Sequence, residues 1–126
     1  MSHISVMKIA FADRDLLLRA LAALGYETEE GEGLRITDGA RSVRVDFLVK
    51  IPYTEAIGFR KGKNGWHLTA DWFRVNLNRK EFENRLKQQY AYLSVRQSLE
   101  KQGFEISEET RDESQRIHLV LRRTQF

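Results

Sequence analysis

AIGFRKGKNGWHLTADWF, residues 56–73, carries the clearest local instruction in the chain. At its centre, Gly62-Lys63-Asn64-Gly65 supplies residue types that tolerate the positive φ of a tight hairpin turn, and alternating runs flank it on both sides. With Lys63-Asn64 at the tip, Phe59 stands opposite Leu68 and Ile57 opposite Ala70. Centring the turn on Asn64-Gly65 slides the pairing by two and keeps every side chain on its face. Ile57, Phe59, Trp66, Leu68, Ala70 and Trp72 therefore share one face, which is predicted to build the core. Gly58, Arg60, His67, Thr69 and Asp71 share the other, with Phe73 at its end, a half-polar set suited to water or to a partner.

Working outward, the length of 126 residues suits one domain, 1–126, with a single core. The net charge of +3 comes from 21 basic and 18 acidic residues interspersed along the chain, so a solvated mixed surface explains it as well as nucleic acid does. The absence of cysteine excludes disulfides, thiolate metal sites and a cysteine nucleophile within this chain, and fits a reducing compartment. The opening Met1-Ser2-His3-Ile4-Ser5-Val6 has no basic segment leading into an apolar one, and no apolar run is long enough to span a bilayer, so a cytoplasmic protein is expected.

Towards the N-terminus, residues 3–11 alternate as a first strand. Asp13 has the character of an N-cap, and Leu17, Leu21 and Leu24 form one stripe of a short helix that Gly25 ends. Residues 26–36 are β-like but acidic and are interrupted by Gly31-Glu32-Gly33; Asp38-Gly39 marks the next turn. Val43, Val45, Phe47 and Val49 then alternate with Arg44, Asp46, Leu48 and Lys50 as one continuous strand, and Pro52 lies in the connection to the hairpin.

Beyond the hairpin, Asn78-Arg79-Lys80-Glu81 has the form of a capping box opening a long helix to about residue 102, with Gly103 past its end. Phe82, Leu86, Tyr90 and Leu93 fall on one arc, whereas Tyr92, Val95 and Leu99 fall on another. Either the helix bends or its second half serves a separate face, which makes Tyr92, Val95 and Leu99 a candidate association surface for a homo-oligomer. Residues 104–107 and 116–123 make a last pair of strands.

Strand, helix, strand, strand thus occurs twice. A duplicated unit and the ordinary chemistry of a glycine-ended helix followed by strands both account for it. The fold class is α+β in either case: a two-layer α/β sandwich, an antiparallel sheet with the two main helices on one face.

No phosphate-binding glycine loop is present, because Gly31-Glu32-Gly33 is acidic and Gly62-Lys63-Asn64-Gly65 is a turn. His3, His67 and His118 lie on predicted strands without a His or acidic partner at helical metal-ligand spacing, so no metal or cofactor is expected. His67 and Asp71 share a face but stand about 13 Å apart along a strand, too far for a general-base pair without a cross-strand partner. No catalytic residue is assigned. The sheet face opposite the helices, Arg44, Asp46, Arg60, His67, Thr69, Asp71 and Arg122, with His118 as an addition, is the candidate binding face.

Several stretches resemble one family. Met1-Ser2-His3, Leu24-Gly25-Tyr26, Arg41-Ser42-Val43, Ile57-Gly58-Phe59-Arg60, Leu68-Thr69-Ala70-Asp71-Trp72 and Gln89-Tyr90-Ala91-Tyr92 are together similar to the hypothetical chloroplast reading-frame thirty-five family of algal plastids, cyanobacteria and other bacteria. The resemblance covers nearly the whole chain. Phe73 stands where that family commonly has a second Trp, which removes an indole donor. The family is one of unknown function. Its relatives encoded beside AAA-type ATPases imply an accessory role with such an ATPase as a partner, and a plastid-encoded member would reside in the stroma.

The reading is therefore a non-enzymatic accessory or interaction domain that binds a protein partner through the polar sheet face. The alternatives are a nucleic-acid-binding module using Arg44, Arg60, Lys61, Lys63 and Arg122, and a small-molecule enzyme around Asp71 and His67.

Overall fold

The computed structural model describes residues 4–38, 41–114 and 116–124. The fold is α+β, and its contacts divide it into two compact units, Met1–Tyr90 and Ala91–Phe126. The first unit holds β1 (Ile4–Phe11), α1 (Arg14–Ala23), β2 (Glu27–Glu30), β3 (Arg35–Asp38), β4 (Arg41–Arg44), β5 (Phe47–Lys50), β6 (Ile57–Gly62) and β7 (Gly65–Asp71). A 3₁₀ turn (Trp72–Arg74) and the start of α2 (Arg79–Lys101) complete it. Five strands form one antiparallel sheet in the order β1-β7-β6-β5-β2, while β3 and β4 pair only with each other.

The hairpin is as the sequence predicts: Phe59 opposes Leu68, Arg60 opposes His67, and Gly62 opposes Gly65, so Lys63-Asn64 is the tip. The positive φ falls on Gly65, at 129°, and not on Asn64. Ile57, Phe59, Leu68 and Ala70 are fully buried and Trp66 nearly so, and Phe47 from β5 stacks on Phe59 at 5.1 Å between ring centroids. Trp72 departs from the predicted face, since the strand ends at Asp71 and Trp72 begins the 3₁₀ turn, half-buried.

α1 starts where Asp13 Oδ1 accepts the Leu16 N–H at 3.1 Å. Its buried stripe is Leu16, Leu17, Ala20 and Leu21, and each buried leucine contributes about 1.5–3 kcal/mol of apolar transfer. The guanidinium of Arg14 lies 5.9 Å over the ring of Trp66, which places α1 on the core face. α2 starts where Asn78 Oδ1 accepts the Glu81 N–H at 2.9 Å. Within this unit α2 buries Phe82 and Leu86; Phe82 meets Tyr26 edge-on at 5.3 Å, and Tyr90 meets Phe11 at 4.8 Å.

The run 43–49, expected as one strand, divides at Val45 and Asp46 into β4 and β5, which belong to different sheets. The cause is a change of main-chain partner: Val45 N–H donates to Leu34 O at 2.9 Å, and the next residue, Asp46, donates to Phe59 O at 2.8 Å. Unbroken alternation concealed the switch, because both halves need the same period. His3 and Gly39 lie outside the described residues.

The second unit contains residues 91–101 of α2, β8 (Phe104–Arg111) and β9 (Ile117–Arg123). β8 extends four residues beyond its predicted end, and it pairs antiparallel with β9 across a bulge between Ile106 and Glu108. No described residue of this unit is buried. β8 pairs with β9, whereas β2 pairs with β5 and β3 with β4, so the repeated order of elements is not a repeated pairing.

Candidate functional site

The sheet face opposite α1 was expected to be open, and the β3–β4 hairpin roofs its middle. Ile36 of β3 and Val45 just after β4 are buried there, with Leu34, Val43 and Leu48 packed against them. Gly58 makes this approach feasible: a Cβ at that position would stand 2.5 Å from Val45 Cγ1 and 2.9 Å from Ile36 Cγ1. A small second core thus replaces the predicted wet surface over the centre of the sheet. Thr69 and Asp71, both assigned to the accessible face, are each 1 % exposed.

Asp71 is therefore removed from the surface. Among the described residues neither of its carboxylate oxygens has a hydrogen-bond partner, and its one ion pair is to Arg74 Nε at 3.6 Å. The adjacent Trp72 indole N–H is likewise buried without an acceptor among the described residues, and the guanidinium of Arg79 lies 5.6 Å over the Trp72 ring. Asp71 and His67 are not brought together at one opening.

Beyond the roof the predicted face does converge. Arg44, Asp46, Arg60, Lys61 and Gly62 line one hollow of about 400 Å³. Val43, Arg60, Lys61, Gly62, Lys63, His67 and Thr69 line a second, also of about 400 Å³. Arg60, Lys61 and Gly62 are common to both, so the two hollows adjoin along the end of β6. Of the predicted binding residues, Arg44, Asp46, Arg60, His67 and Thr69 meet here. Arg122 does not: it lies in the second unit, on β9, with its Nε 3.2 Å from Glu105 Oε2.

The cleft is predominantly cationic. Arg44, Arg60, Lys61 and Lys63 have no ion pair among the described residues. The single carboxylate, Asp46, is half-buried and accepts the main-chain N–H of Lys61 at 2.8 Å, which ties β5 to β6 where the hollows meet. The imidazole of His67 lies across Gly62, where a Cβ would stand 2.4 Å from its Cε1. Any larger residue at 62 would displace the ring. From the sequence Gly62 was assigned to the turn and Val43 to the inward phase of a strand, so neither was counted in the binding face.

The predicted association residues belong to the second unit. Tyr92 and Leu99 are half-buried and Val95 is 52 % exposed. The Tyr92 hydroxyl donates to Glu109 of β8 and accepts from Arg96 Nη1 at 2.9 Å. Partial burial, and then the hydrogen bond to Glu109, raise the Tyr92 hydroxyl above its ordinary pKa. Part of this helix face is thus engaged by the unit's own hairpin.

Among the described residues no group of His, Asp and Glu is arranged to hold a metal ion, and no helix is long and apolar enough to cross a membrane.

Residues 20–120 match the family described as "Protein of unknown function (DUF1257)". The chain is 29% identical over 128 residues to the "Uncharacterized protein ycf35" of Pyropia yezoensis, covering 100% of both chains. It is 30% identical over 129 residues to the protein of the same name from Cyanophora paradoxa, again over 100% of both. No solved structure matches it.

Proposed function

Since the chain belongs to the DUF1257 family, which carries no assigned activity, we propose a function from the cleft itself: an interaction module that takes an acidic segment of a partner protein. One observation supports this above the others: Arg44, Arg60, Lys61 and Lys63 rim two adjoining hollows with a single half-buried carboxylate among them. Cations left unpaired around a concavity attract acidic partners and speed their encounter. Two hollows sharing Arg60 and Lys61 suit a chain with acidic side chains at successive positions.

Protein is favoured over nucleic acid because no Phe, Tyr or Trp lines either hollow and His67 supplies the single ring among the lining residues. Single-stranded nucleic acid is held largely by stacking on such rings. Most residues lining both hollows are charged or polar, unlike the hydrophobic and aromatic residues that predominate around small ligands.

The test is anisotropy of a fluorescein-labelled peptide rich in Glu, titrated with wild type and with the Arg44→Glu/Arg60→Glu variant. Wild type should bind at low salt, weaken as salt rises, and lose about tenfold or more in affinity on charge reversal, which is about 1.4 kcal/mol. Absence of binding at low salt, or equal binding by the variant, would end the proposal. Tighter binding of a mixed single-stranded RNA would transfer the cleft to the nucleic-acid reading.

A further inference from the structure

The two edges of the β8–β9 hairpin differ in what they invite. β8 carries Glu105, Glu108 and Glu109 along its length. A second β8 laid against it would bring carboxylates together, which protects that edge from self-pairing. β9 has apolar Ile117, Leu119, Val120 and Leu121 and no proline or lysine. Val120 is 49 % and Leu121 39 % exposed, and β8 is the strand on its other side in a two-stranded sheet.

The main chain of β9 has a free side. Val120 O accepts from Ser107 Oγ at 3.1 Å, Arg116 O from Asp112 N–H at 3.0 Å, and Thr124 N–H donates to Gly103 O. All three groups are on even-numbered residues and turn towards β8. Because successive residues of a strand direct their main-chain groups to opposite sides, those of Leu119 and Leu121 turn away from it.

We infer that this outer edge of β9 pairs with β9 of a second copy of the chain, antiparallel about a two-fold axis at Val120, giving a continuous sheet β8-β9-β9-β8. Around Val120 the pattern of β9 is symmetric for two residues on each side, with leucine at 119 and 121 and a basic side chain at 118 and 122, and it departs from symmetry at Ile117 and Arg123. In this register Val120 meets its own copy, Leu119 meets Leu121 of the other copy, and His118 meets Arg122 of the other copy. The flanking basic side chains do not oppose the pairing, since each is matched within its own copy: Arg122 to Glu105, and His118 Nε2 to Asp112 Oδ2 at 3.1 Å. A closed two-fold contact of this kind stops at two copies. It is independent of the cationic cleft.

The full chain tests this directly. Wild type should sediment as a concentration-dependent dimer. Leu121→Pro removes a main-chain donor directed away from β8 and should return the mass to that of a monomer with the circular dichroism unchanged. The chain has no cysteine. Val120→Cys should therefore give a disulfide-linked dimer on mild oxidation, whereas Leu121→Cys, which faces Leu119 of the other copy, should not. A wild-type protein that is monomeric at every concentration, oligomers larger than a dimer, or equal crosslinking of the two cysteine variants would each overturn the inference.

Discussion

The two units of this chain are held by different physics. Among the residues whose burial is described, every buried one lies between Phe11 and Leu86, within the first unit, where Phe47, Phe59, Leu17, Leu68 and Leu86 are sealed from water. The second unit has two strands, half a long helix and no buried residue among those described, and its side-chain contacts include ion pairs, a tyrosine hydroxyl bridging Glu109 and Arg96, and a guanidinium 5.1 Å over Phe104. Burial of apolar area decides conformation in the first. In the second, exposed cross-strand pairs contribute fractions of a kcal/mol each, so local opening is expected there first.

The largest expected effect follows from that contrast. Phe59→Ala empties a site between Phe47 and Leu68 and should cost about 3–5 kcal/mol in urea unfolding. Leu121→Ala, at 39 % exposure, should cost under about 1 kcal/mol in the isolated monomer. A Leu121→Ala loss as large as that of Phe59→Ala would show that the second unit has a core after all, and the comparison would fail.

An intermediate effect sharpens the account of the roofed sheet face. Gly58→Ala would force a methyl group to 2.5 Å from Val45 Cγ1, and a packed β3–β4 roof should make this cost about 1–3 kcal/mol. The measurement should include hydrogen exchange at Val45, whose N–H donates to Leu34 O. A neutral Gly58→Ala would mean the roof lifts freely and the face is open, as alternation alone had suggested.

Legibility in the sequence divides along the same line. The hairpin, both helix starts and the inward set Ile57, Phe59, Trp66, Leu68 and Ala70 were readable because turn chemistry, capping and period are local. The sheet switch at Val45 and Asp46 was not, since a strand that changes partners keeps its alternation. The roof was hidden for a related reason. Thr69 and Asp71 are polar and sit on the outward phase of β7, and nothing local announces that Ile36 will reach across to Gly58. The cleft was half legible: Arg44, Asp46, Arg60 and His67 were named, but the burial of Asp71 and the placement of Arg122 in the second unit required the pairing of distant strands.

The smallest effect probes the second unit alone. The His118 ring, followed by the main-chain N–H groups of Arg116 and Ser114, holds the Asp112 carboxyl below its ordinary pKa. A carboxyl lowered in the folded state contributes stability that is complete above its unfolded pKa and is lost as pH falls through the folded one, so the turn joining β8 to β9 should loosen on the acid side. Carbon-detected NMR titration should place the Asp112 midpoint below the ordinary aspartate value. His118→Ala should raise it only in part, because the N–H groups of Ser114 and Arg116, each 2.9 Å from Asp112 Oδ1, remain. Complete return to the ordinary value would mean that the turn collapses without the ring, whereas no change would mean that the main-chain donors alone hold it.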